Sequence, residues 1–148
     1  MHRPTSGRLP RPSLPDRLPP NPPRPPHRPH RHPDRLRSGL YALLEGAATH
    51  LEISRDDIDG TIHTGSDGMP SLLLFDTTPG GAGNAVHIGE RLEPVVDAAL
   101  TRVQACECGP ESSCYACLRT FRNERFHELL SRREAIALLD ALTGSNTR

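Results

Sequence analysis

The chain has 148 residues and a formal net charge of zero, room for one ordinary domain and a tail but not for two domains. That neutrality hides a division: residues 1–37 carry nine Arg against two acids, and residues 38–148 carry nine Arg against sixteen. No stretch approaches the roughly 20 apolar residues of a membrane-spanning helix, and the N-terminus has no apolar run of the kind a signal peptide carries, so a cytoplasmic protein is expected.

Twelve of the sixteen prolines fall within residues 1–37. Each Pro fixes φ and removes a backbone donor, so neither a helix nor a strand ladder propagates through such a segment. A disordered or polyproline-II tail is expected there. It reads as a basic arm for an anionic surface, as a ligand for a proline-recognising groove, as a segment folded back on the acidic domain, or as an unselected leader. The 111 residues that follow, 38–148, suffice for a small core that a staple would help.

In "SGLYALLEGAATHLEI" the apolar residues Leu40, Leu43, Leu44, Ala47, Ala48 and Leu51 recur at helical spacing. A helix is predicted from about Ser38, as N-cap, to Leu51. Two strands follow, Ile58–His63 and Leu72–Phe75, separated by the turn-rich "TGSDGMP". The second is continuously apolar, which predicts a strand buried on both faces at the centre of a sheet.

"DTTPGGAGN" breaks the chain before a long apolar stripe from Ala85 to Val103. Pro94 should kink that helix or split it in two. Gly80, Gly81 and Gly83 read either as a turn that needs positive φ or as backbone amides offered to a phosphate at the helix start. Asp56, Asp57, Asp59 and Asp76 form an acidic group in sequence, suited to turns and caps or to holding Mg²⁺. Asp76 is the member to test as a catalytic acid or base.

All four cysteines lie in "CECGPESSCYAC", spaced C-x-C-x5-C-x2-C: Cys106, Cys108, Cys114 and Cys117. Disulfides belong to oxidising compartments, and a redox C-x-x-C opens a helix after a strand in a βαβ setting. Neither context is present. Four thiolates in two close pairs close a tetrahedral shell around Zn²⁺, and such soft ligands also accept an iron–sulfur cluster. A four-Cys zinc has no open position for water and is structural. His127 is the one nearby alternative ligand, though a capping or solvated histidine is the simpler reading.

"CYACLRTFRNERFH" then interleaves Tyr115, Phe121 and Phe126 with Arg119, Arg122 and Arg125. Arginine forks suit phosphates and aromatics stack on bases. Five aromatics in the whole chain make no extended platform, so Phe121 and Phe126 are expected to pack over the metal. Arg122 and Arg125 are expected to pair with Glu124, Glu128 or the acidic loop. A capping box from Ser131 to Glu134 starts the last helix, with Ile136, Leu138, Leu139 and Leu142 on its apolar face. These elements make a small, mostly helical α+β domain with a short β-hairpin or sheet and a four-Cys zinc knuckle, behind the Pro/Arg-rich tail.

Taken together, "LLEGAA", "RDDIDG", "LLLFDTTPGGAGN", the knuckle and "CLRTFRNERFHELLSRREAIALLDAL" resemble the MrfA-like zinc-binding domain. That domain closes bacterial DEAD/DEAH-type DNA helicases similar to mitomycin repair factor A. It also occurs in the DrmB component of DISARM phage-defence systems and was formerly a domain of unknown function. The likeness runs from about Ser38 to Leu142. It implies one zinc held by Cys106, Cys108, Cys114 and Cys117, and a role supporting a helicase core in DNA repair or defence. This chain has no G-x-x-x-x-G-K-[ST] and no Asp-Glu-x-His box, so ATP hydrolysis has no machinery in it. The resemblance therefore implies a non-catalytic module that works with a helicase partner and possible DNA contact, or the tail of a truncated gene. Two other readings stand beside it: an interaction module that binds protein alone, and a metal-dependent nuclease or hydrolase using Asp76.

Overall fold

The computed structural model describes Gly7 and residues 32–144. Apart from Gly7, residues 1–31 lie outside the described residues, and with them most of the segment expected to be disordered. Residues 32–37 correct that expectation, because the first helix, α1, runs His32–Leu51 and so starts six residues before Ser38. Pro33 falls in the first turn, where its missing N–H has no partner to lose and its fixed φ suits the helix. Asp34 in the same turn faces the positive end of the helix dipole. Tertiary contacts hold the extension: Arg35 donates to the Ala137 carbonyl at 2.7 Å, and the Arg37 guanidinium lies 3.7 Å from the Phe126 ring centre.

Every residue of α1 from Ser38 to Ala48 is buried. A helix covered all round is a core helix, and the other elements assemble on it. The strands β1 (Ile58–Thr64) and β2 (Pro70–Asp76) form an antiparallel hairpin with Ile58 opposite Asp76 and Thr64 opposite Pro70. Ile58, Ile62, Leu72 and Leu74 join the core. The Leu72–Phe75 run is not buried on both faces. The two-stranded sheet packs on the core by one face and its outer face is open, leaving Leu73 47% and Phe75 45% exposed.

The long apolar stripe is two helices, α2 (Asn84–Glu90) and α3 (Leu92–Ala105), separated at Arg91 with φ −123° and ψ 35°. Pro94 has no N–H to give to Glu90 and its ring would strike that carbonyl, so the chain turns before it and Pro94 sits in the first turn of α3. Helix α4 (Arg132–Gly144) completes the packing against α1 and α3. Ser38 does not cap α1. It is buried within the helix, and its hydroxyl accepts the Ser131 amide at 3.0 Å. Ser131 in turn accepts the Glu134 amide at 3.4 Å, the forward half of the expected capping box. Its own amide goes to Ser38 in place of the Glu134 carboxylate. No helix among the described residues is long and apolar enough to cross a membrane.

Two glycines of α1 let the neighbouring helices close in. A Cβ on Gly39 would strike Leu138 of α4, and one on Gly46 would lie 2.6 Å from the Ala99 amide and 2.7 Å from the Val95 carbonyl of α3. The Gly46 contacts are backbone atoms and cannot swing aside. Gly46→Ala should therefore lower stability by about 1–3 kcal/mol through overpacking, against the roughly 1 kcal/mol that helix propensity alone would gain. Urea unfolding of the two proteins checks the sign.

Candidate metal centre

Helix α3 ends at Ala105, and Cys106 leaves it in an extended conformation, φ −73° and ψ 133°. The chain then doubles back through a turn closed by the Ser112 amide on the Gly109 carbonyl at 3.0 Å. A second turn follows at Cys114, whose carbonyl accepts the amides of Cys117, Leu118 and Arg119 at 3.0–3.2 Å. These two turns bring the cysteine pairs face to face. The sulfurs lie 3.5 Å apart for Cys106–Cys108, 3.4 Å for Cys106–Cys114, 3.7 Å for Cys108–Cys117 and 3.8 Å for Cys114–Cys117.

A bonded disulfide would bring two sulfurs to about 2.0 Å. A tetrahedron of four Zn–S bonds near 2.3 Å has edges of about 3.8 Å. The four sulfurs, all within 4.8 Å of one another, match the tetrahedron and not the disulfide. They are also the one group of three or more His, Cys, Asp or Glu side chains placed to hold a metal ion among the described residues. When bound, zinc there supplies a cross-link and no open coordination position.

The site is asymmetric. Cys117 is buried, and loss of solvation pushes its thiol up to about 12, whereas the Cys108 amide pulls Cys106 down to about 7. Burial also raises Cys108. The Cys114 amide donates to the Cys117 sulfur at 3.2 Å, a bond that suits a thiolate held by metal.

Three arginines fasten the knuckle to the helices. Arg132, at the start of α4, donates to the Val103 carbonyl at 3.1 Å and to the Cys106 carbonyl, covering the open end of α3. Arg102 donates to the Cys117 carbonyl at 3.3 Å and pairs with Glu45 of α1 at 3.3 Å. Arg119 donates to the Ser113 hydroxyl at 3.0 Å and turns toward the His127 carbonyl. Glu45 also pairs with Arg55 at 3.3 Å, so one buried carboxylate joins two guanidinium groups. Sequence reading missed this link, although an acid inside the apolar "LLEGAA" was its signal.

His127 is not a ligand. Its Nε2 lies 3.0 Å from the Thr120 carbonyl and 2.9 Å from Asn123 Oδ1, within the 3-10 segment Phe121–Leu129. Buried Asn123 accepts the Thr120 amide and donates to the Leu118 carbonyl, both at 2.8 Å. Phe121 and Phe126 do not cover the metal site. Phe121 stands in water beside Tyr115, and Phe126 packs on Tyr41, Arg37 and Arg125. Arg122 pairs with Asp56 of the acidic loop at 2.9 Å.

The carboxylates of Asp56, Asp59 and Asp76 each serve the local backbone or a salt bridge, and the four aspartates form no metal-holding group. Asp76 accepts the Asn84 amide at 2.9 Å, capping α2 across the glycine turn, where Gly80, Gly81 and Gly83 all have positive φ. That carboxylate takes the Asn84 amide at the start of α2. Asp59 accepts the Gly60 amide at 2.8 Å, and the Asp57 carbonyl accepts Thr77 at 3.0 Å.

Replacing Cys114 by Ser should release the metal and unfold the chain from α3 onward, read as zinc content and far-ultraviolet circular dichroism of the purified variant. Unchanged values would contradict this account. Metal must also displace protons, chiefly from the raised Cys117 and Cys108. Zinc retention against a chelator should therefore strengthen as pH rises from about 6 to 8 and weaken as it falls.

The comparisons agree with this geometry. The chain matches the family model described as the MrfA Zn-binding domain over residues 40–118, more than half its length and including all four cysteines. It is 37% identical over 68 residues to the Druantia protein DruE of Escherichia coli (strain UMEA 4076-1), a match covering 46% of this chain and 4% of DruE. Two crystal structures of the DUF1998 helicase MrfA share the fold. The one bound to DNA gives a TM-score of 0.54 at 20% identity, and the one bound to DNA and AMPPNP gives 0.56 at 23%. Each likeness covers 73% of this chain and 13% or 14% of the helicase. The chain thus spans a small part of each of these relatives, and by the family match and its four-sulfur cluster it belongs to the MrfA Zn-binding domain family, with zinc as its cofactor.

Proposed function

We propose that this chain is a non-catalytic, zinc-stapled accessory module that acts in the cytoplasm with a DNA helicase core, in DNA repair or phage defence. The family match carries the reading, since the related unit in MrfA is a minor part of a helicase. Cys106, Cys108, Cys114 and Cys117 are the zinc ligands. A shell closed by four thiolates stabilises the fold and activates no water. Arg119, Arg122 and Arg125 are the candidate nucleic-acid contacts, of which Arg122 and Arg125 are exposed. The open hairpin face around Leu73 and Phe75 supports a second reading, a module that binds protein without nucleic acid.

The test is ATP hydrolysis by a helicase core of the MrfA type from which this domain has been removed, with single-stranded DNA present. Adding the intact chain should raise the rate, whereas the chain alone and the Cys114→Ser variant should leave it unchanged. A core indifferent to the intact chain would overturn the helicase reading.

A further inference from the structure

Residues 112–133 hold five of the nine Arg but only two of the sixteen acids found from Ser38 onward. This segment, which begins inside the metal knuckle and runs to the start of α4, is therefore the basic stretch of an otherwise acidic domain, although Arg132 is bound to carbonyls and Arg133 pairs with Glu111. Two aromatic rings stand in water on it: Phe121 is 86% and Tyr115 55% exposed, with centroids 5.6 Å apart and planes at 47°. Neither ring belongs to the core.

Tyr115 and the backbone that carries Phe121 are nevertheless held in place. Tyr115 sits between Cys114 and Cys117 in the turn the metal closes, and its ring meets His127 at 90° and 5.4 Å. His127 is fixed by the Thr120 carbonyl and Asn123, and Asn123 also accepts the Thr120 amide immediately before Phe121. Arg122 and Arg125, both exposed, follow Phe121 in the same 3-10 segment; Arg122 pairs at its surface with the exposed Asp56, and Arg125 lies over the Phe126 ring, so a phosphate would compete with one surface carboxylate. Exposed rings on an anchored backbone lose less conformational entropy on binding than rings on a free loop. Exposed charged neighbours in the same segment favour a base with its phosphate over an apolar protein side chain.

We propose that Tyr115 and Phe121 form a stacking platform for the bases of single-stranded nucleic acid, with Arg122 and Arg125 facing its backbone. The inference rests on the nucleic-acid side of the helicase-associated reading and adds the atoms that would make the contact.

The chain supplies its own probe, for it has no Trp and two Tyr, of which Tyr41 is buried. Tyrosine emission of the full chain is titrated with an oligothymidylate of about 15 nucleotides in about 0.2 M salt, which weakens the purely electrostatic contacts of the arginine-rich leader. Quenching is expected. Phe121→Ala should weaken binding about five-fold or more, and Phe121→Tyr should restore it, with zinc content unchanged in both. No binding, or binding seen by anisotropy without quenching and unaltered in Phe121→Ala, would overturn the platform. So would a Phe121→Ala variant that binds DNA normally but no longer stimulates the helicase core, since the rings would then face protein. The helicase-core assay stands apart from this titration, so the platform can fail while the accessory role holds.

Discussion

Closure of four sulfurs around one ion is the constraint on which the rest of this domain depends. The segment from Cys106 to Cys117 has no regular secondary structure, and its backbone groups bond mainly to its own turns and to α4: Arg132 and Arg133 give their amides to the Ser112 and Pro110 carbonyls at 3.0 and 2.9 Å. A loop of this kind buries little apolar surface. Cys117 and Leu118 are its main contribution to the core. Without a cross-link, the entropy of the loop would oppose the packing of everything beyond it. Zinc supplies the missing free energy and couples ligand binding to folding.

From the knuckle the constraint spreads through charge. Arg102 reaches from the Cys117 carbonyl to Glu45, and Glu45 reaches on to Arg55, which donates to the Ile58 carbonyl at 2.7 Å at the start of the hairpin. A buried carboxylate is costly to desolvate, and leaving it unpaired is costlier still. This arrangement makes the relative position of α1, α3 and the hairpin hard to vary without breaking a pair. On the other side, Ser131 uses its amide on Ser38 and its hydroxyl on the Pro110 carbonyl at 3.1 Å. Helix α4 is thereby locked to both α1 and the knuckle. The domain has a rigid end, around the metal, and a less covered one, the hairpin with its open outer face.

That contrast bears on function. The rigid end carries the arginines and the two exposed rings. The hairpin end carries Leu73, Phe75 and the more exposed Met69 at its turn. Under the proposed accessory role, the apolar surface sits on protein and the basic, aromatic one meets a charged polymer. In DruE and MrfA the matching unit is a small fraction of the chain.

Much of this was legible in the residues. The order helix, hairpin, glycine turn, split helix, knuckle, last helix follows from periodicity, from Pro94 and from the cysteine spacing, because each is set by local geometry. The metal site was legible for the same reason: C-x-C and C-x2-C impose turns that need no distant partner. Other features were settled by tertiary structure. Ser38 reads as a cap from its neighbours, and only the approach of α4 turns it into an acceptor inside a helix that starts at His32. The Leu72–Phe75 run reads as a central strand, and only the packing of the hairpin on the core by one face leaves the other open. His127, Asn123 and Phe121 lie within seven residues, yet two are buried and one is in water. The sequence by itself determined which segments could be helix, strand or metal loop, since those choices depend on neighbours along the chain. Which side chains meet across the fold, and which are left to solvent, was decided by packing between segments up to 102 residues apart.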